Sequence, residues 1–409
     1  MQKINDAFSK YGSSTVDFIK EIKELVDITA VNKFVLTDKY TFMSVLSVKD
    51  DLIMVVMLNR EFISLFNTGA FFTMNTSENV LNKKWNFVRT LKTDYFTKNF
   101  AEEKIKVDDL IILDSKNRVQ LIADEAYRTM LVRFNLNCDG MLTKTLCRNV
   151  MIAERMYCND ISSTVVTRCN ERGYEKVMAV LSDKYTNIPQ TILADVITEL
   201  ESTEKLRCMG YYVDNRISQI SLGFSDKEQE VRDVYKIDDA VPGIYLATSD
   251  TGDCSITAKA YFQFRNSKVY IGEVTRRHEG NIDKNVLLDD IRKTLFPMYT
   301  EVPDKLVKLM TIDIDKPEIA LKKALKHVGL VKLIGKKNEM AVSEQLISEL
   351  SPAMQYTAYD IAMMCLQIAE RIQNLANDTR RKLEHGIIKV IDCDFTKLTV
   401  APETVTLAD

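Results

Sequence analysis

The chain has 409 residues, of which 46% are hydrophobic and 28% are charged, and its formal net charge is -3. This length allows two or three domains, and the composition is that of a globular protein that buries a large core without disulfides or metals. The small net charge excludes bulk electrostatic attraction as a reason to expect a nucleic-acid or membrane partner, so local patches must supply it.

Targeting and redox features are sparse. The first residues, MQKINDAFSKYGSSTVDF, lack an apolar core of signal-peptide length, and no window reaches the roughly 18 apolar residues of a membrane span. The eight cysteines form no CxxC pair, which disfavours zinc fingers and favours reduced, buried thiols. We therefore expect a cytoplasmic protein without a membrane partner.

The N-terminal part predicts mixed elements. Residues 14–28 have apolar side chains at helical spacing and predict an amphipathic helix, while 41–58 is rich in β-forming residues. Residues 62–100 are aromatic and rich in Asn and Thr, and their pattern does not predict the order of secondary elements. The fold of residues 60–105 is therefore not predicted. Residues 107–122 predict a hairpin, because two apolar strands flank the turn sequence DSKN.

Helices dominate the prediction for the next segment. One is expected from about 125 to 134, and helix is expected over most of 142–172. A short apolar run at 177–181 ends in a polar turn. Pro189 then opens a further helix, because its fixed φ and missing N–H suit a first helical turn.

The following hundred residues predict mostly strands. The segments 206–213 and 217–224 form an antiparallel pair around the tight-turn dipeptide Asp214-Asn215. Three more strands lie within 243–274, and a helix follows over 283–295. This order predicts a strand-strand-strand-helix unit.

The C-terminal third predicts helices. Pro317 opens one helix, and Ser343 is placed to cap another. Residues 356–391 are the longest helix candidate, and their narrow apolar stripe suits pairing either within the monomer or between subunits. The predicted fold class is α+β with antiparallel sheets. Four regions are predicted: an N-terminal α/β region (1–105), a central α+β domain (106–300), a C-terminal helical region (301–396) and a flexible tail (397–409).

Two blocks stand out, VMAVLSDKYTNIPQTILADVI at 177–197 and VPGIYLATSDTGDCSITAKAYFQF at 241–264. The first resembles the RAVLSDRYRxIDN…LL segment of a family of phage and plasmid proteins of unknown function. Further pieces resemble that family in the same order: ATSDTG at 247–252, Phe264-Arg265, RRHEG at 276–280 and TAYD at 357–360. The resemblance covers about residues 120–390.

The chain also departs from that family. Asn266-Ser267-Lys268 stands where the family has a CxNG turn, and Ala362-Met363 stands where it has NA. The resemblance implies a mobile-element setting, most simply a bacteriophage protein in the host bacterial cytoplasm. It implies no activity, because the family has no secure one.

Catalytic motifs are missing from the sequence, which has no GxxxxGK[ST], GxGxxG, GxSxG or HExxH. Two acidic pairs, Asp313/Asp315 and Asp392/Asp394, alternate so that both carboxylates of a pair face one side of a strand and could hold a divalent cation. Solvent-facing charges on half-buried strands give the same pattern. We expect no cofactor, no metal and no catalytic residue, and a metal-dependent nuclease remains as an alternative.

The best polar cluster in the sequence is Arg276-Arg277-His278, directly after a predicted strand. Two guanidinium groups could clamp a phosphate, with His278 as a third donor when it is protonated. The alternative is surface salt bridging to the nearby Glu273 and Glu279.

Residues 316–337 contain seven lysines against the single acid Glu318. Such a density can attract a phosphate backbone, and a solvated helix face is the alternative. Aromatic side chains that could stack on bases lie upstream. Phe262 and Phe264 share a core-facing side of their strand, so Tyr261 is expected to point the other way and to be exposed.

These observations favour a non-catalytic, nucleic-acid-binding accessory protein of a phage or plasmid, of the single-strand-binding or annealing type. The strand-strand-strand-helix order also resembles that of phage single-strand annealing proteins. The alternative is a structural or host-interaction protein that forms homo-oligomers through the 356–391 helix. Single-stranded DNA or RNA would contact Arg265, Lys268, Tyr261, Tyr270, Arg276, Arg277, His278, Lys322, Lys323, Lys326, Lys332, Lys336 and Lys337.

Overall fold

The computed structural model describes residues 3–69, 86–100, 103–136, 145–159, 161–238, 240–280, 282–372 and 375–398. The strands are β1 (Ser9–Gly12), β2 (Thr29–Val35), β3 (Tyr40–Lys49), β4 (Leu52–Met57), β5 (Val88–Lys92), β6 (Leu110–Asp114), β7 (Val119–Ile122), β8 (Ser162–Cys169), β9 (Glu175–Ser182), β10 (Leu206–Asp214), β11 (Ser218–Phe224), β12 (Ala240–Thr248), β13 (Ile256–Phe264), β14 (Ser267–Arg276), β15 (Asp313–Ile314) and β16 (Tyr356–Thr357).

The helices are α1 (Thr15–Asp27), α2 (Leu36–Lys39), α3 (Arg60–Asn67), α4 (Thr93–Phe100), α5 (Asp124–Arg133), α6 (Leu146–Asn159), α7 (Ile192–Glu201), α8 (Ser225–Asp233), α9 (Lys284–Asp290), α10 (Met298–Met310), α11 (Pro317–Val328), α12 (Leu330–Ile334), α13 (Lys336–Glu349), α14 (Ala358–Leu366), α15 (Ile368–Arg371), α16 (Asn377–Gly386) and α17 (Phe395–Leu398). A π-helical segment covers Ile291–Leu295 and a 3-10 helix covers Ile387–Asp392. The predicted α+β class is confirmed.

Eight strands form one sheet in the order β2-β8-β9-β7-β6-β3-β4-β5. Neighbouring strands are antiparallel except β7 and β9, which are parallel. Ile111 and Ile112 are consecutive on β6 and belong to two different buried clusters. Because consecutive strand residues point to opposite faces, both faces of this sheet are buried.

The predicted division at residue 105 does not coincide with a boundary between sheets. Within the eight-stranded sheet, β3 pairs with β6, so strands from both sides of residue 105 are hydrogen-bonded to each other. The N-terminal β1 pairs with β10 of the other large sheet. Long-range pairing of this kind cannot be read from a change in local composition.

The second large sheet has six strands in the order β1-β10-β11-β12-β13-β14. The predicted pair around Asp214-Asn215 and the three strands after it are present, and α9 follows β14, which confirms the strand-strand-strand-helix unit. Alternation on β13 places Ile256, Ala258 and Ala260 in a core shared with the C-terminal helices. The opposite face carries polar and aromatic side chains.

The prediction of helix over most of 142–172 was wrong in its second half. Helix α6 ends at Asn159, and β8 follows over Ser162–Cys169. This strand has the sequence SSTVVTRC, whose β-branched residues are stiff at χ1 and pack well in a sheet. Central placement between β2 and β9 then buries it.

The single helix predicted over 356–391 is also not present. The described part of that segment contains α14, α15, α16 and the 3-10 helix as separate elements. The apolar stripe is divided among different neighbours, because α14 packs on α10 and α11 whereas α16 packs on α12 and β14. Helix pairing along one continuous stripe therefore has no basis in this structure. The predicted flexible tail lies outside the described residues from 399 onward.

Helices α11, α12 and α13 form a helical hairpin over residues 317–349. Gly329 and Gly335 separate the three helices, and both have positive φ angles, +70° and +81°, which glycine adopts without strain. The C-terminal end of α13 adjoins the N-terminal end of α11, because Leu350 and Pro317 line one cavity. Ser343 lies inside α13 and does not cap a helix.

Candidate nucleic-acid interface

Tyr261 lies on the sheet face predicted for it, but its side chain is not accessible. It is 0% exposed, and its hydroxyl donates a hydrogen bond to the Leu222 carbonyl at 3.2 Å. The ring covers Gly243 on the neighbouring strand, where a Cβ atom would come within 2.4 Å of it. Burial raises the pKa of the Tyr261 phenol well above its ordinary value. The expectation of an exposed ring was wrong, because Gly243 has no side chain and leaves space on the sheet surface that the Tyr261 ring fills.

Tyr270 is half-buried and is also engaged. Its ring stacks on the imidazole of His385 on α16, with 4.6 Å between ring centroids. The rings of Tyr245 and Tyr261 pack edge-on against it. One face of Tyr270 is therefore occupied by the protein itself.

Lys268 joins this aromatic group from the same strand. Its ammonium lies 4.5 Å from the centroid of the Tyr261 ring and donates a hydrogen bond to the Ser221 hydroxyl at 3.0 Å. Burial lowers the pKa of Lys268. Arg265 lies in the turn before β14 with φ +52°, and its side chain is exposed.

The structure adds two residues to this face that sequence reasoning missed. The Lys259 ammonium donates to Nε2 of His385 at 3.0 Å and lies 3.4 Å from the Glu273 carboxylate. Burial, and next the charge of Lys259, lower the pKa of His385. Alternation along β13 puts Lys259 on the Tyr261 side, so the sequence contained that information. His385 approaches from more than a hundred residues away, and no local pattern marks it.

The structure does not bring Arg276, Arg277 and His278 together as a clamp. The Arg276 guanidinium is paired with Asp290 on α9, with Nε 2.7 Å from the carboxylate. Arg277 is exposed. His278 is only 6% exposed and stacks on Tyr185 with 5.1 Å between centroids. The three side chains therefore do not form one cluster: the first is ion-paired, the second is exposed to solvent and the third is buried.

Three segments quoted for the resemblance meet where the two large sheets join. Tyr185 of the SDKY segment stacks on His278 of RRHEG, and its hydroxyl donates to the backbone carbonyl of Asp250 at 3.1 Å. The Asp250 carboxylate accepts two hydrogen bonds from the fully buried Arg168 of β8, at 2.9 and 3.0 Å. Burial lowers the pKa of His278. Through these contacts the three segments hold the eight-stranded and six-stranded sheets together.

The helical hairpin carries the lysines that remain accessible. Lys323 is half-buried and has an interaction partner. The other predicted lysines of this segment are exposed, and none has an ion-pair partner among the described residues: Lys322, Lys326, Lys332, Lys336 and Lys337. Lys336 and Lys337 begin α13, where backbone N–H groups lack helical acceptors and the helix dipole is positive. Glu318, Glu339 and Glu344 lie on the same helices, but among the described residues no ion pair joins them to these five lysines.

Helix α16 adds cations beside the hairpin. It packs against α12, where Gly386 lies against the Leu333 side chain. Arg381 and Lys382 on this helix are exposed. Arg371, further upstream, is paired with Glu349 at 2.8 Å. We name the accessible group on the hairpin and α16 the lysine surface, comprising Lys322, Lys326, Lys332, Lys336, Lys337, Arg381 and Lys382.

The acidic pairs are arranged differently from each other. Asp313 and Asp315 are both exposed and line a cavity of about 710 Å³ at the open end of the hairpin. The strand expected at Asp392 and Asp394 was wrong, because Asp392 ends the 3-10 helix and is paired with Lys305 at 2.6 Å. Within the described residues, no group of three or more His, Cys, Asp or Glu side chains is arranged to hold a metal ion.

Comparison with protein-family models, with curated proteins and with solved structures finds no match for this chain. In the part of the chain that the structure describes, no helix combines the length and the apolar character needed to cross a bilayer. Functional assignment therefore depends on the geometry above.

Proposed function

We propose that the protein binds single-stranded DNA or RNA by sequence-tolerant contacts between the lysine surface and the phosphate backbone. The observation that supports this most is the set of five exposed hairpin lysines without an ion-pair partner among the described residues. Phosphates neutralised by lysine release their counterions, and this release favours binding without base recognition. The mobile-element setting implied by the resemblance fits a non-catalytic accessory protein of this type.

The contacts differ from those expected for a stacking platform. Tyr261 is covered and one face of Tyr270 is occupied, so stacking on bases has no part in the proposal. The start of α13 instead offers backbone N–H groups next to Lys336 and Lys337, a combination that favours phosphate oxygens. The recognition proposed is electrostatic and local, in a molecule whose formal net charge is -3.

The first prediction concerns salt dependence. The probe is a fluorescently labelled, unstructured DNA or RNA strand of about 30 nucleotides, titrated in a polarisation assay. Counting only the five hairpin lysines of the lysine surface as contacts, the logarithm of the binding constant should fall with the logarithm of salt with a slope of roughly -3.5. Affinity should then decrease roughly 100-fold between about 50 and about 200 mM salt. Absence of binding at the lower salt would contradict the proposal.

A matched pair of variants tests the location. The triple change Lys326→Glu, Lys332→Glu and Lys336→Glu should weaken binding and reduce the slope by roughly 2, since single strands contribute about 0.7 per phosphate contact. The control changes three other exposed lysines to Glu and alters the net charge equally: Lys10, Lys23 and Lys49. Equal loss in both triple variants would mean that binding follows net charge and not this surface.

A further inference from the structure

The cavity at the open end of the helical hairpin is lined by both apolar and charged side chains. Its volume is about 710 Å³, within the range of ligand and peptide pockets. Ile319 and Met354 line it and are 39% and 64% exposed. Three exposed carboxylates lie beside them, those of Asp313, Asp315 and Glu318, against the single ammonium of Lys316, so the rim is acidic on balance. Such a site favours an occupant that carries both apolar and basic groups.

The opposite end of the same hairpin presents groups of that kind. Val331 and Met340 are 49% and 51% exposed there. Lys332 and Lys336 lie on the same short stretch and are exposed. The two ends are separated by the length of α11, about 18 Å for 12 residues at 1.5 Å per residue. One molecule therefore carries two complementary surfaces that cannot reach each other.

We propose that a second copy of this chain occupies the cavity, with its basic hairpin end docked on the acidic end of its neighbour. Val331 or Met340 of one copy would cover Ile319 and Met354 of the next, and the lysines would face the rim carboxylates. Each copy keeps one free end, so the contact is heterologous and produces rings or open chains rather than closed two-fold dimers. This association goes beyond polynucleotide binding and does not depend on it, but it competes with polynucleotide for Lys332 and Lys336.

Sedimentation velocity of protein freed of nucleic acid tests the proposal. The wild type should increase in average mass above the monomer as concentration rises from about 1 to about 100 µM, a range that covers micromolar dissociation constants. Asp313→Lys with Asp315→Lys should remain monomeric, and so should Lys332→Glu with Lys336→Glu. Met354→Lys, at a strongly exposed position, removes an apolar contact and repels the lysines of the neighbour, so this independent variant of the cavity should also remain monomeric.

The decisive measurement mixes the two charge-reversed proteins in equal amounts. Their altered ends are again opposite in charge, so the mixture should associate although each protein alone does not, an outcome that misfolding cannot produce. A wild type that stays monomeric throughout, or a mixture that does not associate, would overturn the proposal. Polynucleotide binding by the Asp313→Lys, Asp315→Lys protein should persist, which separates failure of association from failure of the proposed function.

Discussion

Basic residues predicted to bind nucleic acid differ in whether an acidic side chain pairs with them. Arg276 and Lys332 were both predicted from the sequence to contact nucleic acid. The structure pairs the first with Asp290 and leaves the second exposed. Asp290 lies on the helix after the strand, and its approach depends on how that helix packs. Residue type and spacing therefore predicted where cations occur, while tertiary contacts decided which of them remain accessible.

His278 gives a prediction at this scale. Burial lowers the pKa of His278 in the folded protein, so the unfolded chain binds its proton first as pH falls. The stability contributed by the neutral ring is present above the unfolded pKa of about 6.5 and decreases below it, by at most about 1.4 kcal/mol per pH unit. His278→Phe retains a ring against Tyr185 and should lose less stability than wild type between about pH 7.5 and about pH 5.5.

Denaturant midpoints at the two pH values measure this difference. His385 also has a lowered pKa and should leave a residual pH dependence in the variant. The control is His327→Phe, at an exposed position, which should retain the full wild-type decrease. If His278→Phe shows the same decrease as wild type, the buried imidazole is not the source.

Secondary elements were predicted well where their signature is local. The hairpin of β6 and β7 and the strands β10 to β14 follow turn dipeptides and period-two alternation, and they occur where expected. The strand β8 was missed, because a stretch of apolar and β-branched residues fits a helix or a buried strand until its neighbours are known. The helix over 356–391 was overextended, because one apolar stripe can serve several short helices that pack on different partners.

At the scale of secondary elements, a glycine inside a central strand gives a prediction about stability. Gly243 and Gly223 are paired across β12 and β11, so they form a matched couple. A Cβ at Gly243 would meet the Leu222 carbonyl oxygen and the Tyr261 ring at 2.4 Å. Gly243→Ala should therefore lower the free energy of unfolding by roughly 1–3 kcal/mol, as overpacking does.

The control at the paired position is Gly223→Ala. Its nearest contact would be the flexible Met209 thioether at 3.2 Å, which can move aside, so a loss under about 1 kcal/mol is expected. Equilibrium denaturation in urea measures both variants. Equal losses would show that the close approach of Tyr261 to Gly243 does not constrain the strand.

At the scale of the whole molecule, polar contacts join the two large sheets. Arg168 comes from the eight-stranded sheet, while Asp250 follows β12 of the six-stranded sheet. The Arg168 guanidinium also donates to the side chain of Asn215, in the turn after β10. No sequence pattern pairs residues 82 positions apart, so this junction could not be predicted, although the segments that form it stood out in the sequence.

The buried pair leads to the last prediction. Removing one member leaves an uncompensated buried charge or unsatisfied donors, so Asp250→Asn and Arg168→Met should each lower the free energy of unfolding by about 3–5 kcal/mol. The double variant Arg168→Met, Asp250→Asn removes both charges and should be less destabilised than the sum of the single variants, because no lone buried charge remains. Denaturant titrations of the cycle measure this coupling.

The exposed pair of Arg232 and Asp233 serves as the control, and Asp233→Asn should change stability by less than about 0.5 kcal/mol. Additive effects at Arg168 and Asp250 would mean that these two side chains are not coupled energetically across the sheet junction.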